Sequence, residues 1–151
     1  MTNRPRAIGT YAETAVTRTA RLHGFPYADR YALHGARDTG DIGLCPGVIV
    51  EVKGGDAARH ASDLDVQNWL DETARERDHA NAAIAFLVLQ RAHVGAPNAA
   101  RWWAYWRLGW IADLSYWQTF NARQVVVRMT LADALAMLRA VGYGEPIEAT
   151  K

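Results

Sequence analysis

Apolar positions along this chain recur at two spacings, and they divide it into alternating helical and extended segments. In residues 9–23 the apolar side chains Tyr11, Ala15, Ala20 and Leu22 precede a stop at Gly24, which predicts a helix. Tyr27 to Leu33 is aromatic-rich and predicts a strand that contains Arg30, and the polar, Gly-flanked HGARDTG after it predicts a loop. Ile42 to Leu44 and the β-branched run from Val48 flank Cys45-Pro46-Gly47, the pattern of two strands folded about a Pro-Gly turn. GGDAARHAS reads as a connector. Leu64 to Ala80 then predicts a helix through Leu64, Val66, Trp69, Leu70 and Ala74, with Asp63 as its N-cap. The continuous apolar run AIAFLVLQ (83–90) predicts a central strand covered on both faces. RAHVGAPNAA predicts a loop, RWWAYWRLGW and QVVVRM two further strands, and Thr130 with Asp133 the start of a last helix buried through Leu131, Leu135, Leu138 and Val141.

Strands and helices alternating in this way predict an α/β fold: a mixed central sheet of about five strands flanked by helices. At 151 residues, half of them hydrophobic, the chain has room for one domain with a real core. It has no apolar run of membrane length and no signal-peptide pattern at its start, and its single cysteine excludes an internal disulfide, which fits a reducing cytoplasm. The five histidines are too scattered to suggest zinc.

The hairpin carries the candidate chemistry. In an extended 48–53, Glu51 and Lys53 point the same way, and the Pro-Gly turn brings Asp41 close to Glu51. Two carboxylates beside a lysine suit a hard divalent cation such as Mg²⁺, which is usually held by one or two carboxylates plus a substrate phosphate. The lysine can orient or deprotonate a water and stabilise charge on the phosphate, the equipment of metal-assisted phosphodiester hydrolysis. E-x-K is also short and common, and an exposed same-face pair on an ordinary hairpin is the competing reading.

The order of motifs widens the comparison. A helix with Glu13, a strand with Arg30, a loop, Asp41, a turn and Glu51-x-Lys53 together resemble the PD-(D/E)XK nuclease superfamily. More narrowly they resemble the Holliday junction resolvase branch found in archaea and in phages of actinobacteria. The resemblance runs over roughly residues 9–90 and more loosely to MTLADALAMLRAVGYG, and it departs at Gly40, which stands where the nominal proline precedes the aspartate. It implies a restriction-endonuclease-like core and Mg²⁺, with Mn²⁺ as a substitute, held by Asp41, Glu51 and the Val52 carbonyl. Glu13 would act on a second ion, directly or through water, Lys53 would position the attacking water, and Arg30 would lie near the scissile phosphate. The implied activity is endonucleolytic cleavage of branched DNA, with a homodimer giving paired nicks in a two-fold symmetric junction. A restriction- or repair-type nuclease on linear duplex, and a non-catalytic DNA-binding or assembly protein of the same fold, are the alternatives.

Charge places the partner less directly. A net charge of +1 argues against purely electrostatic DNA binding, but its distribution is uneven. Arg4, Arg6, Arg18, Arg21, Arg30 and Arg37 face only Glu13 and Asp29 in the first part of the chain, and Arg91, Arg101, Arg107, Arg123 and Arg128 form a second group opposed by Asp113. Arg30, Arg37, Arg59, Arg91 and Gln67 are the candidate DNA contacts, a solvated surface being the alternative for each. For the tryptophans of 101–110, core packing and a subunit interface explain the pattern better than base stacking, and the aromatics continuing through Tyr116, Trp117 and Phe120 favour the interface.

Overall fold

The computed structural model describes residues 4–31, 40–114 and 122–145, so Arg37, Tyr116, Trp117 and Phe120 lie outside the described residues. Six strands run β1 (Asp29–Arg30), β2 (Ile42–Cys45), β3 (Val48–Lys53), β4 (Ile84–Leu89), β5 (Trp103–Arg107) and β6 (Val126–Thr130), and they lie in the sheet in chain order. Among the described residues five α-helices accompany them, α1 (Arg4–Leu22), α2 (Gly55–Arg59), α3 (Asp63–His79), α4 (Leu108–Leu114) and α5 (Leu131–Ala140), with a 3₁₀ helix at Ala96–Arg101. The pairing of β3 with β4 is parallel and every other pairing is antiparallel, so the sheet is mixed. The α/β class follows directly from these elements.

The parallel pair sits at the centre because both its strands are buried on both faces. Val48, Val50, Val52, Ile84, Phe86 and Val88 turn to one side, where they pack with Ala12, Val16 and Ala20 of α1 and Leu131, Leu135 and Leu138 of α5. Leu87 and Leu89 turn to the other, under Val66 and Leu70 of α3 and Ala58 of α2. Trp102 and Trp106 are fully buried; the Trp106 ring stacks on Phe86 at 4.6 Å, and Trp102 Nε1 donates to Val94 O at 2.8 Å. Core packing therefore accounts for these two tryptophans.

The hairpin forms as its turn residues predict, with Ile42 opposite Val50, Gly47 at φ +85° and a register shift between Gly43 and Cys45. Several details depart from the sequence reading. The first strand is Asp29–Arg30 within the segment expected from Tyr27 onward. Ser62, not Asp63, caps α3: its hydroxyl accepts from Asp65 N while the Asp65 carboxylate accepts from Ser62 N, leaving Asp63 in the first turn. The connector after Lys53 contains the short helix α2, and the segment read as one strand through Trp110 turns helical at Leu108. Tyr11, Leu22, Leu64 and Val141 are exposed, whereas Thr130 caps α5 as expected, its hydroxyl accepting from Asp133 N at 3.2 Å.

Gly54 and Gly55 let α1 approach the end of β3. A Cβ at Gly54 would stand 2.6 Å from the Ala12 Cβ and 3.2 Å from Ile8 O, and Gly55 has φ +76°. Gly54→Ala is expected to destabilise the protein by about 1–3 kcal/mol through overpacking, read as a lower denaturant midpoint at unchanged slope.

Candidate active site

Asp41 sits where β2 and β3 part. Its backbone N–H still donates to Val50 O at 3.2 Å, but at the next position its side chain takes over from the strand: Asp41 Oδ2 accepts from Val52 N at 2.8 Å. A residue's N–H and C=O lie on the same edge of an extended strand, so the Val52 carbonyl also faces the Asp41 side, while Lys53 O turns to β4 and accepts from Gln90 N. Asp41 and the Val52 carbonyl are thus brought to one edge of β3.

Glu51 and Lys53 project from β3 toward α3, as their two-residue spacing requires. Glu51 is 3 % exposed; its Oε1 lies 3.0 Å from Lys53 Nζ, and its Oε2 is buried without a hydrogen-bond partner. Lys53 Nζ also reaches Glu72 Oε1 at 3.2 Å and lies 6.0 Å from the Trp69 ring centroid. Glu76, one helical turn beyond Glu72, brings a third carboxylate: oxygens of Glu51, Glu72 and Glu76 all lie within 4.8 Å of one another.

These placements set the protonation. Burial, then the Glu51 charge, outweigh the Val52 N–H bond and push the Asp41 carboxyl up to about 8, with Glu13 adding to the rise. Burial and the neighbouring Glu76 push Glu51 up to about 9, against the pull of Lys53. Burial alone would lower the Lys53 pKa, but Glu51 and Glu72 more than offset it and hold the ammonium charged well above its ordinary range. Lys53 in this arrangement is a donor and a positive charge, not a base.

Glu13 approaches from α1 and binds Arg30 of β1, Arg30 Nε to Glu13 Oε2 at 2.8 Å. The Glu13–Arg30 pair is therefore adjacent to Asp41, whose carboxyl feels the Glu13 charge. Arg59 is engaged by Asp56, and Arg91 lies against the Trp103 ring. Gln67 stands elsewhere: with Asp71 it holds Arg107 on the β5 flank of α3, Arg107 Nη2 meeting Asp71 Oδ1 at 3.0 Å and Arg107 Nη1 donating to Gln67 Oε1. The helix residues that do reach Glu51 and Lys53 are Glu72 and Glu76. Neither belongs to a motif in the sequence; their i, i+4 spacing beside the buried Leu70 and Thr73 is the available signal. Arg107 is buried, so Arg107→Ala is expected to cost about 2–3 kcal/mol in chemical denaturation by leaving Gln67 and Asp71 without their partner.

The donor set is all oxygen, with Glu51 Oε2 buried and without a hydrogen-bond partner, and with the Asp41 and Glu51 carboxyls holding their protons until a positive charge arrives. That is the chemistry of a hard divalent cation site. Comparison of the chain with protein-family models, with curated proteins and with solved structures finds no match.

Proposed function

We propose that this protein is a Mg²⁺-dependent endodeoxyribonuclease acting on branched DNA, with a PD-(D/E)XK-type centre built from Asp41, Glu51 and Lys53. The observation that supports the reading is that Asp41 is held to Val52 N–H at 2.8 Å, next to Glu51 whose charge bears on it, while Lys53 lies 3.0 Å from Glu51. Asp41, Glu51 and the Val52 carbonyl would hold the cation. When bound, it supplies charge compensation and Lewis acidity at the phosphate. The chain's own groups do the rest. Lys53, kept protonated, hydrogen-bonds and orients the attacking water and offsets charge growing on the phosphate oxygens. The Val52 N–H fixes the Asp41 carboxylate, and the Glu13–Arg30 pair sets a guanidinium at the mouth of the site. Hydrolysis adds the water's oxygen to phosphorus and releases the sugar oxygen as an alcohol.

Branched DNA and a homodimer rest on the motif order. A two-fold pair of centres suits paired nicks in a four-way junction, and recognition by shape and phosphates needs no base contacts. Incubation with a labelled immobile junction and with a linear duplex of the same sequence, each with and without Mg²⁺, tests this reading. Symmetric, Mg²⁺-dependent nicks in the junction alone are expected; equal cutting of both would retain the nuclease and discard the junction preference.

One observation favours a second reading. Lys53 bridges Glu51 and Glu72, so the cluster also ties β3 to α3 as an ion-pair network. Glu72→Gln separates the two. For a nuclease centre, cleavage should stay within about threefold, because Lys53 keeps Glu51 and the half-exposed Glu72 pair contributes at most about 1 kcal/mol. Loss of structure in that variant would favour the network.

A further inference from the structure

The sheet face that carries Glu51 and Lys53 continues across the molecule. Cross-strand partners place Lys53, Leu89, Trp103 and Thr130 in one row and Glu51, Leu87, Tyr105 and Arg128 in the next. Trp103 is two strands from Lys53, about 10 Å across the sheet. On this face the guanidinium carbons of Arg91 and Arg128 lie 3.8 and 3.9 Å from the Trp103 ring centroid. Arg91 follows β4 and Arg128 lies on β6, the two strands that flank β5, so the two guanidinium groups reach the Trp103 ring from either side of its strand and stand no more than about 8 Å apart. Arg91 Nη1 also donates to Arg101 O at 3.1 Å, and Arg101 and Arg128 are exposed.

The second basic group of the sequence is thereby sorted. Arg107 and Arg123 are neutralised by Asp71 and Asp113, and Arg21, Arg30, Arg59 and Arg77 also have carboxylate partners. Arg91, Arg101 and Arg128 form no ion pair among the described residues. A single stacked arginine would leave one charge on the indole; the second brings a like charge close to the first with no counter-ion among the described residues. Such a pair fits a ligand that presents two anionic groups at a similar separation, and successive phosphates of a nucleic-acid strand do so.

We propose that the Arg91–Trp103–Arg128 stack is a phosphate clamp that grips neighbouring backbone phosphates of a DNA strand running past the Asp41–Glu51–Lys53 centre; the choice of DNA rests on the nuclease reading above. Trp103 is a positioning residue: its ring is taken up by the two guanidinium groups, so it stacks no base, and the clamp is indifferent to sequence.

The test is the salt dependence of DNA binding by the full-length protein, in EDTA so that nothing is cut, with labelled duplexes of two unrelated sequences and a four-way junction. The double variant Arg91→Gln/Arg128→Gln is expected to bind each about 10- to 100-fold more weakly, with the slope of log K against log salt shallower by about 1.8 on duplex. Trp103→Leu keeps both charges, so its slope should stay within about 0.5 of wild type while affinity falls about 3- to 10-fold. Thermal melts establish that each variant is folded. Unchanged affinity and slope in the folded double variant would overturn the clamp, as would a loss confined to one sequence. Cleavage with Mg²⁺ in parallel keeps the two claims apart. Wild-type cutting beside an unaffected double variant sinks the clamp alone; a salt-dependent clamp on a protein that never cuts sinks the nuclease alone. Absence of DNA binding by wild type would sink both.

Discussion

Asp41→Asn and Glu51→Gln should each lower Mg²⁺-dependent cleavage by at least about three orders of magnitude while leaving affinity for the same DNA within about threefold. Both substitutions keep size and shape and remove a negative charge. The asparagine can still accept the Val52 N–H through its carbonyl oxygen, so the junction of β2 and β3 is retained. At position 51 a neutral amide replaces a carboxylate that already has a buried oxygen without a donor, so the fold has little to lose. What disappears is anionic ligation. Single-turnover cleavage with DNA above its Kd, alongside binding in EDTA, measures both quantities. Parallel loss of binding would mean that these carboxylates organise the DNA surface and not the chemistry.

The second large effect is on stability, and its sign is opposite to that of an ordinary salt bridge. Asp41 and Glu51 have ordinary values of 3.8 and 4.5 and are pushed up to about 8 and about 9 in the folded chain. Below about pH 4 both states hold these protons and there is no pH dependence from them. Between there and pH 8–9 the unfolded chain has released its protons and the folded chain has not, so folding takes up protons and stability falls as pH rises. Metal-free protein should therefore lose on the order of a few kcal/mol between pH 5 and pH 8, seen as a falling Tm. Glu51→Gln should flatten that curve and raise the pH 8 stability by about 1–3 kcal/mol. Mg²⁺ should restore the wild type and do so more strongly at pH 8 than at pH 6, because it competes with the protons. Cleavage should accordingly fall at low pH. A metal-free Tm that rises from pH 5 to pH 8 would contradict the burial assigned to these carboxylates.

The hairpin was legible because its signals are local. Pro46-Gly47 fixes the turn, Val48 to Val50 fixes the strand, and period two then puts Glu51 and Lys53 on one face. The face itself, and what lies over it, depend on contacts distant in sequence. Gln67 is a candidate only as a polar residue of the helix that follows the hairpin, and the phase of that helix sends Gln67 and Asp71 to β5 and Glu72 toward Lys53. Leu108 to Trp110 continue an aromatic strand pattern in sequence, yet the backbone turns helical there, with Leu108 N donating to Val125 O and Gly109 N to Arg123 O. Ser62 and Asp63 are both cap-forming types, and the reciprocal bond with Asp65 makes Ser62 the cap. The arginine stack on Trp103 joins residues 91, 103 and 128 from three parts of the chain, and only the sheet register brings them together.

Calorimetric titration of Mn²⁺ and Mg²⁺ into the metal-free protein at pH 8, repeated in buffers of different ionisation heat, tests the centre most directly. Saturable binding with net proton release in the wild type, abolished in Asp41→Asn and in Glu51→Gln, is the result expected of carboxyls that must give up protons to hold the cation. No binding in wild type, or equal binding in both variants, would contradict a metal-dependent nuclease centre at Asp41, Glu51 and Lys53.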